Sequence, residues 1–220
     1  MSLFQPNSQN LKAIIFDMDG VLIDSEPVYI EKFRSFLLEN NCTIDEVKLL
    51  STVGANSQMT WDTLATLWYE PISGDVLHKH FRQIYPDFEI PYGRVAFPGI
   101  TDFIKILYEK GFLIAVASSS STKAIMQMIK ELAIGEYVSE FISGEMFNES
   151  KPNPEIYLHI LEKLGLSADE CIAVEDSPYG IAAAKAAGLK VAAVKDTRFG
   201  FDQSLADYVI EHTTCLFENL

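Results

Sequence analysis

The side chains best suited to chemistry fall directly after apolar runs. Asp17 and Asp19 stand one residue apart ahead of Gly20, after Ala13-Ile14-Ile15-Phe16. Ser118 and Ser119 follow a second apolar run over 112–117, Lys151 follows the loop that begins at Gly144, and Glu175 and Asp176 follow Cys171-Ile172-Ala173-Val174. If these ends converge, carboxylates, an ammonium and hydroxyl donors share a small volume. Packed carboxylates resist ionisation, because desolvation and like charge act in the same direction. A hard divalent cation relieves that cost, and an all-oxygen donor set favours Mg2+ over Zn2+. One carboxylate of such a pair can attack phosphorus as a covalent nucleophile while the other reaches the leaving oxygen. The spacing therefore predicts Asp17 as nucleophile and Asp19 as the group that gives a proton to the leaving alkoxide and takes one from water. Lys151, the cation and the Ser118 and Ser119 donors would neutralise the phosphoryl oxygens. Ser118 lies in a run of four serines, and its place directly after the apolar run favours it. Glu175 reads equally as a direct ligand or as a residue that orients the loop.

The elements that must deliver these residues alternate in type. A continuous apolar run at 13–16 predicts a strand covered on both faces, with further strands at 112–117, 138–142, 171–174 and 190–194 and a small edge strand at 208–210. Helical periodicity separates them over 99–110, 122–132, 154–164 and 178–187. Ser177 is placed to cap the last of these and Pro178 suits its first turn. This rhythm predicts an α/β fold, a Rossmann-like, doubly wound parallel sheet made of right-handed crossovers. Residues 25–97 break the rhythm and read as helical throughout, with segments near 28–38, 45–50, 58–68 and 75–85. The expected organisation is a catalytic core of residues 1–24 and 98–220 with an inserted all-helical cap domain of residues 25–97, placed where open α/β sheets bind ligands. Trp61 and Trp68 are expected on one helix face as cap core.

The 220-residue chain carries 48% hydrophobic and 22% charged residues, a globular composition. Its net charge of −14 argues against nucleic acid as a partner. The same charge repels phosphorylated metabolites at long range, so a site for them needs local positive charge, a metal or oriented amides. Cys42, Cys171 and Cys215 are too scattered for a disulfide framework or a cysteine-rich zinc site. The polar N-terminus has no signal-peptide core and no apolar stretch is long enough to span a membrane. A soluble, cytoplasmic monomer with a small-molecule partner is expected. His78, His80, His159 and His212 read as surface or structural residues, since no two pair with a carboxylate at metal-binding spacing.

Phe16-Asp17-Met18-Asp19-Gly20-Val21, Ser118 after its strand, Lys151-Pro152-Asn153-Pro154-Glu155-Ile156-Tyr157 and Val174-Glu175-Asp176-Ser177-Pro178-Tyr179-Gly180-Ile181 together resemble the four motifs of the haloacid dehalogenase superfamily. Within it they are similar to the beta-phosphoglucomutase-like branch with a small helical cap. The resemblance runs in motif order from about Ala13 to Val194. It implies a nucleophile at Asp17, a general acid/base at Asp19, phosphate binding at Ser118, and a Lys151 paired with both nucleophile and phosphoryl group. It also implies Mg2+ held by the Asp17 side chain, the Asp19 carbonyl and Asp176, with Glu175 close by or participating. Beta-phosphoglucomutases carry a histidine near the position of Tyr29 and an arginine near that of Ser57. Here Val53-Gly54-Ala55-Asn56-Ser57-Gln58 contains no basic residue. The expected activity is therefore phosphatase action on small phosphorylated metabolites such as sugar phosphates, through an aspartyl-phosphate. A sugar phosphomutase is the alternative, and a non-catalytic phospho-receiver module a remote one.

Overall fold

The computed structural model describes residues 10–217, so most of the polar N-terminal segment lies outside the described residues. Six strands form one sheet: β1 (Ala13–Phe16), β2 (Leu113–Ser118), β3 (Val138–Ser143), β4 (Cys171–Glu175), β5 (Lys190–Val194) and β6 (Tyr208–Ile210). Their spatial order is β3-β2-β1-β4-β5-β6 and every pairing is parallel. This is the doubly wound order in which the chain, having laid β2 and β3 on one side of β1, restarts at β4 on the other. The carboxyl ends of β1 and β4 therefore border the switch point. Register keeps them level, with Phe16 opposite Val174. The Asp17 N–H extends that ladder by donating to the Val174 carbonyl at 2.9 Å.

The chain forms two compact units, one of residues 1–24 and 92–220, the other of residues 25–91. The second unit contains α1 (Glu26–Glu39), α2 (Glu46–Leu50), α3 (Ser57–Ala65) and α4 (Gly74–Ile84), with no strand between them. Each start has a local cause. Pro27 sits in the first turn of α1. The Asp45 carboxylate accepts from the Val47 and Lys48 amides at the head of α2, and Asn56 and Ser73 cap α3 and α4 in the same way. The core of this unit is aromatic, with Phe33, Phe36, Trp61, Trp68 and Phe81 all buried. Trp68 differs from expectation. Helix α3 stops at Ala65, so Trp68 lies in the turn beyond it and reaches the core from there, stacked on Phe36 at 5.2 Å between ring centroids.

Returning to the first unit, the short α5 (Tyr92–Val95) leads to Ala96, which bridges Ile23 in antiparallel fashion. That bridge, with the Asp24 N–H donating to the Val95 carbonyl at 2.7 Å, ties residues 92–97 to the first unit. The crossovers are α6 (Ile100–Glu109), α7 (Thr122–Glu131), α8 (Glu155–Leu164) and α9 (Pro178–Ala186). Alternate strand residues Ala13, Ile15, Ala115, Ala117, Ala173, Val191 and Ala193 share one core cluster with Ile156, Tyr157 and Ile160 of α8 and Ile181, Ala183 and Ala184 of α9. The intervening residues Ile14, Phe16, Ile114, Val116, Ile172 and Val174 are equally buried, as a sheet covered on both faces requires. Among the described residues no helix is long and apolar enough to cross a membrane.

Candidate active site

Strand ends supply most of the site. Asp17 follows β1, Ser118 ends β2, and Glu175 ends β4 with Asp176 next to it. Lys151 sits in the turn before α8. Oxygens of Asp17, Glu175 and Asp176 all lie within 4.8 Å of one another. Between two of these carboxylates stands Lys151, only 8% exposed. Its Nζ donates to Asp17 Oδ1 at 2.6 Å, to Glu175 Oε1 at 2.6 Å and to the Ala117 carbonyl at 2.9 Å. An ammonium has three protons, and these partners use all of them.

Glu175 is completely buried. Beyond Lys151, its Oε1 accepts from the Tyr157 hydroxyl at 2.5 Å, and its Oε2 accepts from the Asp176 N–H at 3.3 Å. Room for this carboxylate comes from Gly180 in the first turn of α9, where an added Cβ would stand 2.0 Å from Glu175 Oε2. Ser177 caps that turn by accepting from the Gly180 N–H at 3.0 Å, as its placement before Pro178 predicts. Gly20 plays the equivalent part for Asp176. It holds φ +79°, which favours glycine, and a Cβ there would stand 2.0 Å from Asp176 Oδ2.

The Asp19 carboxylate is not one of these three, although its charge reaches Asp17, and the Ser120 hydroxyl donates to its Oδ2 at 2.8 Å. Ser118 is buried, and its Oγ accepts from the Ser120 N–H at 3.0 Å, which leaves its own proton for another partner. Ser119 is half-buried beside Gly144, where an added Cβ would come within 3.0 Å of the Ser119 Cα. The loop is braced further by Ser143, whose hydroxyl donates to the Ser120 carbonyl at 2.7 Å.

Electrostatically the site is short of positive charge. Burial, with the charges of Glu175 and Asp19, pushes the Asp17 carboxyl up to about 8, and the nearby Lys151 only partly offsets this. Burial by itself would lower the Lys151 pKa, but Asp17 and Glu175 outweigh it and the ammonium is held charged. One lysine against this many carboxylates leaves a deficit that a hard cation with oxygen ligands would fill, and the donor set contains only oxygen. The buried cluster thus fits a divalent metal of the Mg2+ type.

Two contributors escape sequence reasoning. Tyr157 lies on the buried face of α8, where it closes the Lys151–Tyr157 motif with nothing in the spacing to give it a role. Ser120 is the third serine of its run, and nothing in the run marks it as the partner of Asp19.

Comparison with known proteins agrees with this arrangement. The profile of the haloacid dehalogenase-like hydrolases matches residues 14–194, which span every residue of the site. Protein CbbY of Rhodobacter capsulatus is 32% identical over 213 residues, covering 91% of this chain and 92% of its own. A phosphorylated carbohydrates phosphatase of Thermotoga maritima is 27% identical over 182 residues, covering 82% of this chain and 83% of its own. The crystal structure of CbbY from Rhodobacter sphaeroides in complex with phosphate shares the fold, with a TM-score of 0.73 at 24% identity over 93% of this chain and 95% of that one. With its motifs, sheet order and buried carboxylate–lysine cluster, the chain belongs to the haloacid dehalogenase-like hydrolases.

Proposed function

We propose that the chain is a Mg2+-dependent phosphoric monoester hydrolase that acts on small phosphorylated metabolites such as sugar phosphates, through an aspartyl-phosphate on Asp17. The observation that carries this reading is the Asp17–Lys151–Glu175 cluster with Asp176 beside it at the ends of β1 and β4. The activity of the Thermotoga maritima relative supports the substrate class.

Lys151 holds Asp17 Oδ1 and so sets the direction of the carboxylate. Asp17 forms a new O–P bond as the bond from phosphorus to the leaving oxygen breaks, and Asp19 gives that oxygen its proton. A water molecule then loses a proton to Asp19 and attacks the same phosphorus, which breaks the Asp17 O–P bond, frees inorganic phosphate and regenerates both residues. Ser118, with its hydroxyl proton available, and Ser119 bind phosphoryl oxygens, and Lys151 adds positive charge to them. Asp17, the Asp19 carbonyl, Asp176 and Glu175 would hold Mg2+, which when bound would neutralise negative charge on the transferring phosphoryl group. The division into an α/β catalytic core and a helical cap, a cytoplasmic setting and action as a monomer belong to the same proposal. Free thiols at Cys42 and Cys171 support the reducing compartment.

The test is release of inorganic phosphate from an aryl phosphate and then from a panel of phosphorylated metabolites. Activity should vanish on chelation and in Asp17→Asn. Full activity in that variant overturns the mechanism. Migration of phosphate between sugar hydroxyls without release would assign a mutase, and a stable phosphoprotein without turnover a receiver module.

A further inference from the structure

Strands β4 and β5 stay in register up to the pair Glu175–Ala193. One residue further on, at Asp176 and Val194, a side chain joins them. The Gln203 Nε2 donates to the Asp176 carbonyl at 2.6 Å and to the Val194 carbonyl at 2.8 Å. A primary amide has two N–H donors, and this one uses both. Its Oε1 accepts from the Asp196 N–H at 3.4 Å, so the amide is held on its third side as well. Asp196 in turn accepts from the Arg198 and Phe199 amides at 2.9 and 2.8 Å, within the segment that turns back between β5 and β6.

We propose that Gln203 is a positioning residue for the metal site, acting through the Asp176 backbone. Asp176 belongs to the three-carboxylate cluster, and its side chain passes so close to Gly20 that a Cβ there would overlap it. A carboxylate confined on that side reaches a cation from a narrow range of directions. That range depends on how the Asp176 peptide leaves the sheet, and the Gln203 amide holds this peptide by its carbonyl. Partners behind metal ligands commonly change metal affinity by about 10–100-fold, because they orient the ligand without touching the ion. The inference rests on the Mg2+ reading above. It adds a residue from the β5–β6 connection, 27 positions from Asp176, that no motif includes.

Calorimetric titration of the full chain with Mg2+ tests this, alongside the unfolding midpoint of the metal-free protein and aryl phosphate turnover at saturating Mg2+. Gln203→Glu keeps the shape and loses the donors, and Gln203→Met loses every polar atom. Each should weaken Mg2+ binding about 10-fold or more, while the metal-free midpoint stays close to that of the unaltered chain and turnover recovers in part at high Mg2+. If Gln203→Glu fails to fold, Gln203→Met is read alone. Loss of fold in both, or a lowered midpoint with unchanged Mg2+ affinity, overturns the inference by making Gln203 a residue of the architecture. Absence of Mg2+ uptake by the unaltered chain overturns the metal reading and this inference with it. Uptake by the unaltered chain that the variants reproduce overturns this inference alone.

Discussion

The sheet unit and the helical unit bury different kinds of side chain. In the sheet unit, alanine, isoleucine and valine fill strands that are covered on both faces. In the helical unit Phe36 touches the rings of Trp68, Phe81 and Tyr85, while Trp61 stacks on His78 at 4.5 Å and meets Phe33 edge-on at 5.4 Å. Without a sheet to pack on, the helices of this unit pack on one another, and aromatic rings bury about 150–250 Å2 each. Charge divides the same way. Among the described residues the buried charged side chains, Asp17, Lys151 and Glu175, all lie in the sheet unit. In the helical unit Arg34 meets Glu31 and Glu46 at the surface. A ring removed from the helical unit should therefore cost stability, whereas a polar atom moved in the sheet unit should cost chemistry.

That contrast can be broken experimentally. Asp17→Asn should reduce phosphate release by roughly 10^4-fold or more with the fold intact, measured as single-turnover and steady-state rates. A comparable loss from a core substitution in the helical unit would end the contrast. Phe36→Ala should destabilise by about 3–5 kcal/mol in urea unfolding, as large core deletions do, with Mg2+ affinity unchanged by calorimetry. Gly180→Ala brings a methyl group against Glu175 and should weaken Mg2+ binding about 10-fold, with a smaller effect on the unfolding midpoint. Asp45→Ala removes the cap of α2 and should cost about 1 kcal/mol with no effect on turnover. The smallest effect is expected at the Lys12–Glu170 pair, 2.5 Å apart on the surface. Lys12, then the Ser167 amide and hydroxyl, hold the Glu170 carboxyl down to about 2 from its ordinary 4.5. A depressed carboxylate stabilises the fold above about 4.5, and the contribution fades as pH falls through 2. The midpoint difference between Lys12→Met and the unaltered chain should therefore shrink in acid. A difference that stays constant in acid would show that Lys12 does not act through the ionised Glu170.

How legible each feature was in the sequence follows from how local its cause is. Ala13–Phe16 shows itself as a strand through four consecutive apolar residues, and Ser177-Pro178 marks a helix start through its own backbone chemistry. Asp17, Lys151, Glu175 and Asp176 could be marked because each follows or precedes such an element. The register of β1 against β4 then brings them together. Trp68 was legible as core but not as lying in a turn, because spacing does not show where a helix ends when Phe36 can reach past the end. The boundary at residue 91 depends on the Ile23–Ala96 bridge, which joins distant parts of the chain.

Asp17 and its neighbours were thus determined by local pattern: apolar period, glycine at a positive φ, and capping residues, each acting within a few positions. Tyr157 on Glu175, Ser120 on Asp19 and Gln203 on Asp176 were decided only when the sheet assembled. Each is a hydrogen bond between side chain and partner far apart along the chain. Nothing near Tyr157, Ser120 or Gln203 in sequence encodes the strand order that places the other half of the bond within reach.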